Sequence, residues 1–133
     1  MNRTNIVIAA SLACFICIPA EAETYDCHTS YGSIPTQIRF IRAGDHFEKD
    51  IRQKREGRWG EWYGEGERYE FTLILENDYF IRLYMPQGND IVTDKLAFID
   101  KKQLKVFETS IYPWLDGGRI GIPVTYESCT VSN

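Results

Sequence analysis

Two histidines, four cysteines and one aromatic–glycine segment hold most of the chemistry open to this 133-residue chain. His28 and His46 are its only imidazoles, so a nucleophile with its base would have to be built around one of them. The Gly-x-Ser-x-Gly elbow of serine hydrolases is absent. Paired histidines at metal-ligand spacing and an Asp-x-Asp-x-Asp calcium loop are absent too. His28 sits beside Cys27, and His46 follows Gly44-Asp45 in a turn, so solvation or packing explains each one. Glu61, Glu65 and Glu67 could set two carboxylates at the roughly 5–10 Å that glycoside cleavage needs. No nucleophile, base and stabiliser accompany them as a set. The expectation is a protein that is not an enzyme and carries no cofactor or metal.

The segment Trp59-Gly60-Glu61-Trp62-Tyr63-Gly64-Glu65-Gly66 is the most unusual stretch. Large rings alternate with glycines beside acidic side chains. One role for such a segment is recognition, with rings exposed to stack on sugars or on a partner's side chains. The other is packing: a strand enters a barrel, an indole plugs its end, and glycines permit tight curvature. The usual burial of Trp favours packing.

The cysteines divide the chain. Cys14 and Cys17 lie in the apolar run Ile6–Ile18, which follows a short polar segment carrying Arg3. Thirteen residues is short of the roughly 20 that cross a bilayer as a helix. The run matches the apolar region of a secretory signal, and Ala20-Glu21-Ala22 supplies small residues for cleavage. Residues 1–22 are therefore expected to be removed, leaving 23–133 as one domain in the periplasm or outside the cell, with no membrane span. An uncleaved anchor and lipidation at Cys14 are the alternatives. In an oxidising compartment the remaining pair, Cys27 and Cys129, is expected to form a disulfide joining the first strand to the last.

The elements between those cysteines are strands. Thr36 to Arg42 alternates, with Ile38 and Phe40 flanking Arg39. Asp45 to Arg55 suits a short helix through Phe47 and Ile51, and a strand through Phe47, Lys49 and Ile51; hairpin-length spacing favours the strand. Tyr69, Phe71, Leu73 and Leu75 share a face, Glu76-Asn77-Asp78 turns, and Tyr79, Ile81, Leu83 and Met85 alternate against Arg82. Pro86 to Asp90 turns again. Ile91–Ile99 and Leu104–Ile111 form a hairpin through Asp100-Lys101-Lys102. Beyond Trp114 and the turn Asp116-Gly117-Gly118, a last strand runs through Ile120, Ile122, Val124 and Tyr126 to Cys129, with Pro123 marking an edge or a bulge. The predicted fold is all-β, a small antiparallel meander of 7–8 strands forming a barrel or sandwich.

Two segments carry local resemblances. Gly60-Glu61-Trp62-Tyr63 resembles the Gly-x-Trp-Tyr entry strand of lipocalins, and Gly60-x-Trp62-x-Gly64-x-Gly66 is similar to the opening of nitrobindin-like barrels. Both imply a closed antiparallel barrel around a small apolar molecule or haem, although no histidine after His46 could serve as a C-terminal haem ligand. Glu65-Gly66-Glu67-Arg68-Tyr69 resembles the Ser-Gly-x-x-Tyr loop of small periplasmic inhibitors of c-type lysozyme, with Glu65 where that family has Ser.

Charge refines the choice. The net charge of −4 lacks the basic footprint of duplex binding, so nucleic acid is not an expected partner. Arg39 to Arg58 is net basic and Trp59 to Tyr79 net acidic, which suits neighbouring strands. The leading expectation is a binding or accessory module acting through its surface on a protein or cell-envelope component. Trp59, Trp62, Tyr63 and Trp114 supply its rings, and Arg55 and Arg58 its charged rim. The alternative is a barrel with a small apolar ligand inside.

Overall fold

The computed structural model describes residues 22–63, 69–86, 94–112, 119–121 and 123–133. All regular structure among them is strand: β1 (Thr24–Tyr31), β2 (Ile34–Ala43), β3 (His46–Arg55), β4 (Arg58–Trp59), β5 (Glu70–Glu76), β6 (Phe80–Met85), β7 (Asp94–Asp100), β8 (Lys105–Tyr112), β9 (Arg119–Ile120), β10 (Val124–Tyr126) and β11 (Ser128–Ser132). One antiparallel sheet runs β10-β8-β7-β6-β5-β3-β2-β1-β11, with β4 on β3 and β9 on β8. Its two ends approach each other, and the Tyr31 and Tyr126 hydroxyls meet at 3.4 Å across the gap. The result is a nearly closed barrel.

Tight turns explain the meander. Tyr31 pairs with Ile34 across Gly32-Ser33, and Ala43 with His46 across Gly44-Asp45. Gly44 has φ +67°, a conformation that side chains with a Cβ rarely adopt. The ambiguous stretch from Asp45 is a strand, and its trio Phe47, Lys49 and Ile51 points inward, opposite Arg42, Phe40 and Ile38 of β2.

The count of strand segments exceeds the expected 7–8 because short pieces and breaks escape a periodicity argument. The expected last strand is three segments. Pro123, which has no N–H to donate, separates β9 from β10. The chain then crosses from β10, paired with β8, to β11, paired with β1. Leu75 also departs from its expected face: the register shifts between Leu73 and Leu75, leaving Leu75 exposed while Phe71 is buried. Tyr79 precedes β6 in a turn held by Asn77 and is 65% exposed. Ile122 and the Asp116-Gly117-Gly118 turn lie outside the described residues.

Inward positions make one core, including Ile38, Phe40, Phe47, Phe71, Ile81, Leu83, Ile99, Val106 and Tyr126. Each large apolar side chain buried here contributes about 1.5–3 kcal/mol relative to exposure. Phe40 and Phe71 meet edge to face at 5.7 Å. Cys27 and Cys129 are register partners on β1 and β11 and form the disulfide, closing a 102-residue separation from inside the barrel. At one end, Arg42 bonds Glu23 and Glu76 at 2.6 Å each, and Lys101 reaches Glu76 at 2.9 Å, a chain of charges joining four parts of the sheet.

One charged pair lies within the core. Lys49 Nζ donates to Glu108 Oε2 at 2.5 Å, linking β3 to β8, with Lys95 3.6 Å from the other carboxylate oxygen. Burial pushes the Lys49 ammonium below the usual lysine range, and the Glu108 carboxylate opposes that push. Burial, followed by Glu108 and Tyr31, raises the Tyr126 phenol. No buried side-chain nitrogen or oxygen among the described residues lacks a hydrogen-bond partner.

Candidate binding face

The outward positions of β1, β2 and β3 carry a ladder of polar side chains. Gln37 Nε2 donates to both carboxylate oxygens of Asp26, at 2.7 and 2.8 Å, and its Oε1 accepts from Arg52 Nε at 2.6 Å. One step along the strands, Arg39 grips Asp50 through Nε at 3.0 Å and Nη2 at 2.8 Å. These pairings follow from register, since Gln37 opposes Arg52 and Arg39 opposes Asp50.

The aromatic segment folds over that ladder. Arg55 and Arg58 oppose each other across Glu56-Gly57, where both turn residues have positive φ, and the chain returns along β3. Trp59 pairs with Lys54 and so faces outward, and Tyr63 forms an isolated bridge to Ile51 through two backbone hydrogen bonds. Gly60 donates its N–H to the Gln53 carbonyl, and a Cβ there would stand 3.4 Å from that oxygen. The glycine thus lets the segment lie close to the sheet. The Arg39 guanidinium stacks 3.8 Å from the Trp62 ring centre. Arg52 lies 4.4 Å from Trp62 and 5.1 Å from Trp59. His28 approaches the edge of Trp59 with centroids 6.2 Å apart. Gln37 points outward yet is buried, because this layer roofs it.

The packing reading of the segment is therefore corrected. Trp59 is 36% exposed, Trp62 is half-buried, Tyr63 is 61% exposed, and the indoles plug no barrel end. The physical reason is local: two guanidiniums already fixed by Asp50 and Gln37 offer flat cationic partners to the rings, each contact worth about 0.5–2 kcal/mol. The structure brings Trp59 and Trp62 over the outward face of β3, whereas Tyr63 pairs with the inward-facing Ile51 and the Arg55–Arg58 pair takes the alternate face at the hairpin tip. Arg55 and Arg58 stand exposed at the hairpin tip. Trp114 lies outside the described residues, as do Gly64 to Arg68 of the barrel-opening and inhibitor-loop resemblances.

Sequence reasoning missed Arg39, Arg52 and Gln37 as members of the site. Their outward positions in the period-2 pattern were visible, but the ring layer that covers them was not.

Other chemistry is sparse. His28 Nε2 is 3.7 Å from Asp26, and His46 lies 3.4–3.9 Å from Asp45, Glu48 and Glu70. Among the described residues neither imidazole is hydrogen-bonded to a serine, and no cluster of His, Cys, Asp and Glu has the makings of a metal site. No described helix is long and apolar enough to cross a membrane. No known protein family, curated protein or solved structure matches the chain.

Proposed function

We propose that this chain is a small exported, periplasmic binding or accessory module, which engages a protein or cell-envelope partner through the outer face of β1–β4. The observation that carries the reading is the placement of Trp59 and Trp62 outside the core, stacked on Arg39 and Arg52. Rings held by stacked cations lose little freedom on binding, and Trp, Tyr and Arg are the side chains that dominate interface energies. Arg55 and Arg58 at the adjoining tip add a cationic rim suited to carboxylate or phosphate groups on the partner.

An apolar ligand inside the barrel has weaker support. The inward space among the described residues is occupied by Phe40, Phe47, Phe71, Tyr126 and the Lys49–Glu108 pair. Catalysis has weaker support still, since among the described residues neither histidine is hydrogen-bonded to a serine.

Capture from an envelope extract tests the proposal. Immobilised 23–133 retains a specific partner, and Trp62→Ala loses it while keeping a cooperative thermal transition. An identical set of captured proteins for both forms would remove Trp62 from the binding face.

A further inference from the structure

The far side of the barrel presents a different surface. On β6, β7 and β8 the outward residues fall into rows across the strands. Arg82 opposes Phe98, and Phe98 opposes Phe107; one step along, Tyr84 opposes Leu96, and Leu96 opposes Thr109. Outward faces of antiparallel sheets are ordinarily polar. Here the rows line a cleft of about 440 Å³ walled by Leu96, Phe98, Phe107, Thr109 and Pro123, with Arg82 at one side. Phe80 stacks on Phe98 with centroids 4.9 Å apart and extends the apolar floor. Phe107 remains 37% exposed.

The polar groups of this cleft differ in their commitments. The Thr109 hydroxyl donates to the Gly121 carbonyl at 3.1 Å, and the Tyr84 hydroxyl to Asp94 at 2.9 Å. Arg82 makes no ion pair or hydrogen bond with any described side chain, whereas Arg39, Arg42 and Arg52 each have a fixed partner. A guanidinium free to pair, beside an apolar trough, is complementary to a molecule with one anionic end and an apolar body. The volume lies within the range of small-molecule sites.

We propose that this cleft binds a small amphiphile with a single anionic head, a fatty or aryl carboxylate. The carboxylate pairs with Arg82, and the acyl or aryl body lies between Phe98, Phe107 and Pro123. The site is on the outer surface, separate from the barrel interior and from the Trp62 face, so it stands or falls independently of the proposed partner.

Calorimetric titration of 23–133 tests it with three probes: laurate, dodecanol, and vesicles of phosphatidylglycerol. Laurate is expected to bind saturably, with one site per chain and at least tenfold more tightly than dodecanol, as a charge-assisted contact requires. Arg82→Gln removes that tenfold preference and leaves dodecanol unchanged. Phe107→Ser weakens both ligands, and its thermal transition stays close to that of the parent because the ring is already part-exposed. Equal affinity for laurate and dodecanol, an unaffected Arg82→Gln variant, or binding to vesicles without binding to free laurate would each overturn the proposal.

Discussion

The two outer faces of this barrel are built on the same alternation and end in opposite states. On β1–β3 the cations are committed: Arg39 to Asp50 and Trp62, and Arg52 to Gln37, Trp59 and Trp62. On β6–β8 the rings of Phe98 and Phe107 lie beside Arg82, which no described side chain engages. The first face spends its cations on positioning rings; the second keeps both ring and cation open. Surface composition alone does not separate these cases, since each combines arginine with aromatics. Register separates them, by deciding whether an arginine has a carboxylate or amide opposite it or a phenyl ring.

Both faces rest on one interior, and breaking it has the largest expected effect. Lys49→Met strips the buried Glu108 carboxylate of its close partner and leaves it only the more distant, part-exposed Lys95, and a loss of about 3–5 kcal/mol is expected in urea unfolding. The double change Lys49→Met with Glu108→Leu recovers most of it, because an apolar pair of similar volume replaces the ion pair. Both faces lose order together in the single variant.

The staple comes next. Replacing Cys27 and Cys129 by Ala is expected to cost about 2–5 kcal/mol, read from the denaturation midpoint with and without the bond. The bond lies on β1 and β11, so hydrogen exchange should accelerate first on the β1–β3 side and later on β6–β8.

The interior also sets an alkaline limit. Burial foremost raises the Tyr25 and Tyr126 phenols above the ordinary value, so both stay protonated in the fold while their unfolded counterparts ionise. Their contribution is fully present below about pH 10, the unfolded value, and is lost as pH rises beyond it. Lys49, whose folded value is lowered, works in the opposite sense just below its unfolded value. Urea midpoints measured across that range should fall above about pH 10, and Tyr126→Phe should soften the fall.

The smallest effects sharpen the contrast most. Arg52→Gln removes a hydrogen bond and two ring contacts at once, so a loss of about 1–3 kcal/mol is expected. Arg82→Gln touches nothing that holds the fold and should stay within about 0.5 kcal/mol of the parent. Equal melting shifts for the two would erase the distinction between a committed and an open arginine.

Much of the scaffold was legible because period-2 patterning and turn residues report directly on a sheet. Spacing suits both a helix through Phe47 and Ile51 and a strand through Phe47, Lys49 and Ile51, and the surrounding hairpin-length turns favour the strand; compartment logic isolates the cysteine pair. That Lys49 would be an interior cation was not legible, because its partner Glu108 is 59 residues away and only barrel closure brings it near. The fate of Trp59 and Trp62 was hidden for a similar reason. Ring size argues for burial, whereas the winning interaction is with arginines on β2 and β3 whose orientation depends on register. Pro123 marks a disruption in the sequence, but where the chain rejoins the sheet depends on the seam between β10 and β11.

The ring-bearing face of β1–β4 is the surface proposed to meet a partner. Hydrogen–deuterium exchange of 23–133, alone and with the captured envelope fraction, tests it most directly. Added protection is expected across Gln37–Arg39 and Asp50–Tyr63, with Leu96–Thr109 unchanged. Protection confined to Leu96–Thr109, or none on either face, would contradict it.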